Sequence, residues 1–425
     1  MAVQAQTVGI ARRTSGFSWK ELLATSLIFL LGAIFLVLGG VSTGADDLSV
    51  FTDRTLGTLL ALPSQATLYT IGAICFFLGG LRFFRRLNSW RSVMNWAVVL
   101  LAGLAFLVWI TTGTSMNLPG MIQATLVAAT PLTLGAMAGI FCERSGIINI
   151  AIEGMMLAGA FAAVAFASLF GNLWMGLLMA SVMGGLMAAL HALLSIRYKV
   201  DQIISGTVIN ILAAGATRFL NLRLLEPAGM STPGSFALIR IPVLADIPII
   251  GPILFENQPT VFIMLILLVV VNLVIFATPW GLRMRACGEH PRAADTVGVH
   301  VNQMRYVSVI LGGLIAGIGG AYFSLGVVGT FEDGMTRGQG FVALAAMIFG
   351  NWNPGGAFLA ALLFGFADAL QVKMQIIQPV LPFINVPIPP EFLQMAPYIL
   401  TIIVVAGVVG RAIAPAAEGK PYEKQ

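Results

Sequence analysis

The sequence predicts an all-α polytopic membrane protein, and three observations carry that prediction. Hydrophobic residues fill 58% of the 425 positions, charged residues only 10%, and the mean hydropathy is +0.92, a composition that leaves too little polar surface for a soluble domain of this length. Apolar stretches of about 20 residues recur with Gly and Pro inside them, which fits helices and not the weak alternation of a membrane barrel. Basic residues are gathered between these stretches on one side of an alternating topology.

The apolar segments fall at 22–41, 66–81, 93–113, 119–142, 155–170, 173–196, 203–224, 259–278, 306–328, 340–350, 357–372 and 397–410, about 12 transmembrane or re-entrant helices in all. The first follows Arg12, Arg13 and Lys20, is too long for a signal-peptide core and lacks a small-residue cleavage site, so it is expected to be a retained span. The next two enclose the basic run Arg82, Arg85, Arg86 and Arg91. Between 119–142 and 155–170 stands the polar stretch CERSGIINIAIEG, and the span 173–196 runs out into Arg197 and Lys199. Segment 340–350 is too short to cross untilted, and Asn351–Gly356 (NWNPGG) divides it from the next, which suggests a re-entrant half-helix. Two long loops, 225–258 and the proline-rich 373–396, are expected outside, where they either roof the outer mouth or meet an external partner.

With the N-terminus in the cytoplasm, 17 of the 23 Lys and Arg residues fall inside, including Arg144, the Arg283–Arg305 group and the tail with Arg411, Lys420 and Lys424. That asymmetry predicts cytoplasmic N- and C-termini. The net charge of +5 and pI near 9.3 are then topology signals scattered one loop at a time, not a nucleic-acid surface. Cys75, Cys142 and Cys287 lack metal-ligand or redox spacing and are expected to be packing residues.

No GxxxxGK[ST] is present, so ATP binding by that route is excluded. His191, His290 and His300 are far apart, no HExxH occurs, and no carboxylates pair at helical spacing inside a span, so neither a catalytic residue nor a metal site is expected. Polar groups concentrate in two places. One is residues 142–156, where Glu143, Arg144, Asn149 and Glu153 surround Ser145 and Gly146; this is either a broken helix beside a pathway or a solvated cytoplasmic turn. The other is the interval Pro279–Arg305, where Pro291 suits a first helical position and Gly298 a left-handed helix end, so that a short helix on the cytoplasmic face is offered to a partner protein. Asn210, and Asp368 with Gln371 at i+3, are polar residues inside predicted spans and complete the candidate pathway set with Asn149 and Glu153. The alternatives are an interhelical hydrogen bond for Asn210 and a cheaply solvated outer helix end for Asp368 and Gln371. Gly135 with Gly139, and Gly313 with Gly317, sit at helix-packing spacing.

Four ordered motifs, PLTLGAMAGIFCERSGIINIAIEGMML (131–157), DQIISGTVINILAAG (201–215), TPWGLRMRACGEHPRAADTVGVHVNQMRY (278–306) and FVALAAMIFGNWNPGGAFLAALLFGFADALQ (341–371), are similar to permeases of bacterial ABC importers. The likeness is to the nucleoside type, within the group that includes ribose-type and branched-chain amino-acid permeases. It implies an ABC permease core at 118–412, preceded by an N-terminal extension of about three spans at 1–117 and followed by a cytoplasmic tail at 413–425. It also implies a multi-pass protein of the bacterial plasma membrane that acts with a second permease subunit, often a different paralogue, two ATPase subunits and an extracytoplasmic substrate-binding protein. On that likeness Gly288, Glu289, His290, Pro291, Arg292, Ala293, Ala294 and Asp295 occupy the coupling-helix region, and the ERSGIINIAIEG form matches the second permease of nucleoside systems. ATP and Mg are expected to be used by the partner subunits, with no cofactor on this chain. A simple-sugar permease is the nearest rival. An ion-coupled secondary transporter is disfavoured because no paired intramembrane charges are seen.

Overall fold

A computed structural model describes residues 19–53, 56–82, 90–230, 232–377, 380–381, 386–387, 389–395 and 412–423. The chain divides into two compact units, Met1–Asn117 with Ile377–Ile388, and Leu118–Ile376 with Pro389–Gln425. Ten helices among the described residues are long and apolar enough to cross a membrane.

The first unit contains α1 (Trp19–Val41), β1 (Leu48–Asp53), β2 (Gly57–Pro63), α2 (Ser64–Leu81), α3 (Arg91–Ile110) and β3 (Ser115–Asn117). The helices match the first three expected spans. The small sheet, ordered β2-β1-β3, joins their ends through an antiparallel hairpin and a parallel third strand. Ser49 at its base donates to the Val108 carbonyl at 2.7 Å and bonds Ser64 at 2.7 Å, tying β1 to the end of α3 and the start of α2.

The second unit runs α4 (Leu118–Glu143), α5 (Ile152–Phe170), α6 (Leu173–Ala192), α7 (Gln202–Leu220), β4 (Ile239–Arg240), α8 (Ile250–Phe255), β5 (Glu256–Asn257), α9 (Pro259–Ala277), α10 (Pro279–Glu289), α11 (Pro291–Thr296), α12 (Val301–Ala321), α13 (Gln339–Phe349) and α14 (Pro354–Ile377). A π-helical turn prolongs α6 to Arg197, α7 to Leu225 and α12 to Val328. Helix α4 is its hub, with 89% of its most apolar window buried, whereas α9 is only 28% buried and leaves Ile266, Val269 and Leu273 exposed for lipid. Lipid tails are as apolar as those side chains, so close packing and not water exclusion must hold the bundle together. Glycine provides it. A Cβ on Gly159 would stand 2.6 Å from the Gly317 carbonyl oxygen, and one on Gly184 would stand 2.6 Å from the Gly317 amide nitrogen, so α5, α6 and α12 meet backbone to backbone.

The tenth segment, α13, is an eleven-residue helix, about 16 Å long at 1.5 Å per residue against a hydrocarbon core of about 30 Å. The last expected segment, 397–410, and the basic residues Arg12, Arg13, Arg54, Arg85, Arg86, Arg411 and Lys424 lie outside the described residues. Two boundaries differ from expectation. Helix α14 continues to Ile377, five residues into the predicted outer loop. The interval Pro279–Arg305 holds two helices before α12, not one: α10 starts at Pro279 with the Thr278 hydroxyl accepting the Gly281 N–H at 3.1 Å, and α11 starts at Pro291 with His290 Nδ1 accepting the Ala293 N–H at 3.2 Å. The first was hidden because its arginines read as a loop although arginine is a good helix former. Gly298, at φ +87°, follows the end of α11 as expected.

Candidate functional site: a helix break joined to a coupling element

Between Glu143 and Ile152 the chain leaves the helix and runs through protein. Glu143, Ser145 and Asn149 are at most 2% exposed, so this break between the two spanning helices α4 and α5 is packed inside protein and is not a solvated turn. Non-helical backbone buried in protein needs a partner for each polar group. The Ile147 N–H donates to the Cys142 carbonyl, the Ile148 N–H donates to Gln202 Oε1 at 2.7 Å, and His191 Nε2 meets the Ile148 carbonyl at 2.9 Å. Asn149 Oδ1 accepts the Ala151 N–H at 3.1 Å. Asn210, from α7, donates to the Ile150 carbonyl at 3.0 Å and accepts the Gly154 N–H at 2.8 Å. The interhelical-bond alternative for Asn210 is therefore what the structure contains.

Glu153, in the first turn of α5, faces the start of the half-helix α13. Its Oε1 accepts the Thr336 hydroxyl at 2.6 Å and the Gly338 N–H at 2.8 Å, and its Oε2 accepts the Gly340 N–H at 2.6 Å. A carboxylate on the unsatisfied amides of a helix N-terminus is favoured by both hydrogen bonding and the helix dipole. At the far end of α13, Trp352 Nε1 donates to Glu143 Oε2 at 2.6 Å, and Arg144 donates from Nε to the Trp352 carbonyl at 3.0 Å and from Nη2 to the Asn351 carbonyl at 3.3 Å. The two edges of the broken helix thus clamp the two ends of the half-helix. Burial lowers the Arg144 guanidinium pKa despite the nearby Glu289 carboxylate.

The candidate pathway residues do not form one cluster. Asn149, Glu153 and Asn210 all bond the chain around the break. Asp368, on α14, lies 3.4 Å from Gln339 Nε2 and lines a separate cavity of about 290 Å³ with Tyr322, Phe323, Glu332, Arg337 and Gln339. Gln371, one turn on, is half-buried and is not among the residues lining that cavity.

The coupling residues stand together around the α10–α11 corner. Gly288 is buried, and a Cβ there would run into the Arg144 carbonyl oxygen, so the corner touches the break directly. Glu289, His290, Arg292 and Ala293 are exposed, and Ala294 is buried with Cys287, Val301 and Tyr422. Burial pushes the Cys287 thiol up to about 11, with Arg305 pulling the other way. Sequence reasoning passed over His191, Gln202, Thr336, Trp352 and the tail residues 416–423, all of which support these two sites. The one signal within reach was His191, an imidazole inside an otherwise apolar span.

Spanning helices drawn together by glycine around a buried helix break and an opposing half-helix make a polytopic membrane protein, and its relatives are permeases, which are transport components. Residues 121–410 match the family described as branched-chain amino acid transport system / permease component, and the chain belongs to it. It is 44% identical over 312 residues to the guanosine ABC transporter permease protein NupQ of Bacillus subtilis, covering 72% of this chain and 96% of that protein. It is 40% identical over 311 residues to the nucleoside ABC transporter permease protein NupC of Lactococcus lactis, with the same coverage of each. It is 34% identical over 303 residues to the putative glucose ABC transporter permease protein TsgC13 of Haloferax volcanii, covering 69% of this chain and 92% of that one. No solved structure matches the chain. The protein is a multi-pass component of the bacterial plasma membrane.

Proposed function

We propose that the chain is a translocation subunit of an ATP-driven importer of nucleosides. The observation that carries this reading is the likeness to guanosine and nucleoside permeases over nearly their whole length. ATP and Mg are used by two separate ATPase subunits, which dock on the α10–α11 corner formed by Gly288, Glu289, His290, Pro291, Arg292, Ala293, Ala294 and Asp295. A second permease, a different paralogue, shares the pathway, and an extracytoplasmic binding protein delivers the substrate.

The geometry suggests how a distant closure reaches the pathway. Closure of the ATPase pair displaces α11, and Gly288, seated on the Arg144 carbonyl, passes that displacement to the α4–α5 break. The break is bolted to α13 at both ends by Glu153, Trp352 and Arg144, so α13 moves with it as a unit. Packed elements with discrete seats transmit such a shift better than a deformable loop would. Asp368 and its cavity with Tyr322 and Gln339 are the candidate pathway surface on the outer reach of α14.

Uptake of radiolabelled nucleosides in cells with and without this chain, with glucose and ribose as competitors, tests the reading. Loss of nucleoside uptake on deletion, restored by the intact gene, supports it. Retained nucleoside uptake with lost sugar uptake would move the substrate to the simple sugars, a second reading favoured by the 34% identity to the putative glucose permease.

A further inference from the structure

Residues 412–423 return to the coupling corner and are fastened there along one edge. The Ala416 N–H donates to Glu289 Oε2 at 3.2 Å, the Ala417 N–H to the Gly288 carbonyl at 2.8 Å, and the Gly419 N–H to the Gly146 carbonyl at 3.1 Å. Arg305, 1% exposed, reaches the Ser145 carbonyl at 3.1 Å with Nε and the Lys420 carbonyl at 3.0 Å with Nη1, so one buried cation depends on the helix break and the tail together. The Tyr422 ring packs with Cys287, Ala294 and Val301, burial together with the nearby Asp295 carboxylate of α11 raises the Tyr422 hydroxyl pKa, and Glu423 pairs with Lys199. Gly419, at φ +74°, takes a conformation that few other residues would accept.

The other edge faces outward. Ala417 and Tyr422 are buried, whereas Ala416, Lys420, Pro421 and Glu423 are exposed beside the exposed Glu289, His290 and Arg292. Between them lies an open cavity of about 650 Å³ walled on one side by the coupling residues and on the other by the tail. The carboxylates at its rim are engaged, Glu289 by Ala416 and Glu423 by Lys199, while Arg292 and Lys420, whose Nζ also donates to the Ala416 carbonyl at 2.8 Å, keep exposed cations at the rim. A floor held by main-chain bonds with a cationic rim is the form of a rigid seat, not of a tail that happens to lie nearby.

We propose that the tail and the coupling corner form one composite seat for the importer's ATPase subunit, with Arg292 and Lys420 meeting carboxylates on that subunit. The proposal rests on the reading of residues 288–295 as the coupling element. The tail then does two things at once: it supplies half of the seat, and through Gly146 and Arg305 it joins the seat to the helix break.

The test uses the complete importer, co-expressed with a tag on the ATPase subunit, in lipid nanodiscs. Permease variants Lys420→Glu, Lys420→Gln, Tyr422→Ala and Arg292→Glu are compared with the intact chain for ATPase affinity and for thermal unfolding. Lys420→Glu gives up the Nζ bond to the Ala416 carbonyl, and Lys420→Gln gives up the same bond without reversing the charge, so the two should unfold alike while Lys420→Glu weakens ATPase affinity about fivefold or more, a deficit that narrows at high salt where the charge pair is screened. Tyr422→Ala should weaken affinity further by freeing the tail. If Lys420→Glu and Tyr422→Ala both bind like the intact chain while Arg292→Glu does not, the composite seat is wrong and the coupling element stands. If Arg292→Glu also binds normally, the coupling reading itself falls.

Discussion

Glu153 and Gly340 are 187 residues apart in sequence, yet Oε2 of the one accepts the amide hydrogen of the other at 2.6 Å. With the Gly338 amide and the Thr336 hydroxyl on Oε1, this contact makes an acidic residue in a spanning helix the cap of a different, shorter helix. It connects the broken helix to the half-helix, and its removal is the most direct probe of that joint.

Glu153→Ala should leave two half-helix amides and one hydroxyl without acceptors in a partly buried site. A cost of about 2–4 kcal/mol is expected, because an unmet buried donor costs its desolvation and the capped groups act together. Glu153→Gln keeps one acceptor and turns an N–H₂ toward a donor, so it should fall between. Thermal unfolding in detergent, followed by intrinsic tryptophan fluorescence, would rank the three proteins; a Glu153→Ala protein as stable as the parent would show that α13 caps itself.

Gly184→Leu should block the α6–α12 approach, since even a Cβ there would stand 2.6 Å from the Gly317 amide nitrogen. Folded yield should drop sharply, as no rotamer avoids a clash with backbone. Gly215→Ala is the control: nothing lies within 4 Å of its added Cβ, and replacing a helical glycine by alanine should leave stability unchanged or raise it by up to about 1 kcal/mol. Folded yield by fluorescence-detected size exclusion reads both.

Docking of the tail should weaken as pH rises. Burial raises the Glu418 carboxyl above its ordinary range, the hydrogen bond to Glu143 opposing only in part. A group whose bound-state pKa is raised holds its proton more tightly when docked, so its contribution is complete below the ordinary carboxylate pKa and is lost as pH climbs through the raised value. Glu423, lowered by Lys199, works in the opposite sense, its contribution being lost only as pH falls below the ordinary carboxylate range. Amide exchange at Ala417 and Gly419, normalised for intrinsic rates, should therefore lose protection from mildly acidic to neutral pH. Glu418 titrates together with the adjoining Glu143, so Glu418→Gln should flatten that dependence; the same slope in both proteins would assign it elsewhere.

Asp368→Asn should impair uptake without impairing assembly. The carboxylate lines an open cavity with an aromatic pair, Tyr322 and Phe323, whose ring centroids are 5.3 Å apart, and partly exposed ionisable groups within spans mark transport pathways. A drop of about tenfold in uptake at equal membrane abundance is expected, worth about 1.4 kcal/mol of lost interaction. Uptake equal to the parent would make Asp368 a solvated helix end with no part in transport.

The eleven apolar segments between 22 and 372, the short half-helix among them, and the start of α11 at Pro291 were legible in the sequence. These follow from apolar length, from proline's missing N–H and from glycine at the helix end, all of which act within a few residues. The sequence also located Glu143, Asn149 and Glu153 as polar residues crowded between spans, without choosing between a broken helix and a wet turn. Only tertiary structure made that choice, because the partners that satisfy the break come from far along the chain: His191 and Gln202, Asn210, Gly340, and Trp352. The same holds for the tail, whose buried Ala417 and Tyr422 look like ordinary residues of a polar terminus until Gly288 and Asp295 are brought beside them. Chain-local chemistry sets where helices begin and end, but the desolvation of a polar group is decided by what packs over it, and that is a property of the assembled bundle.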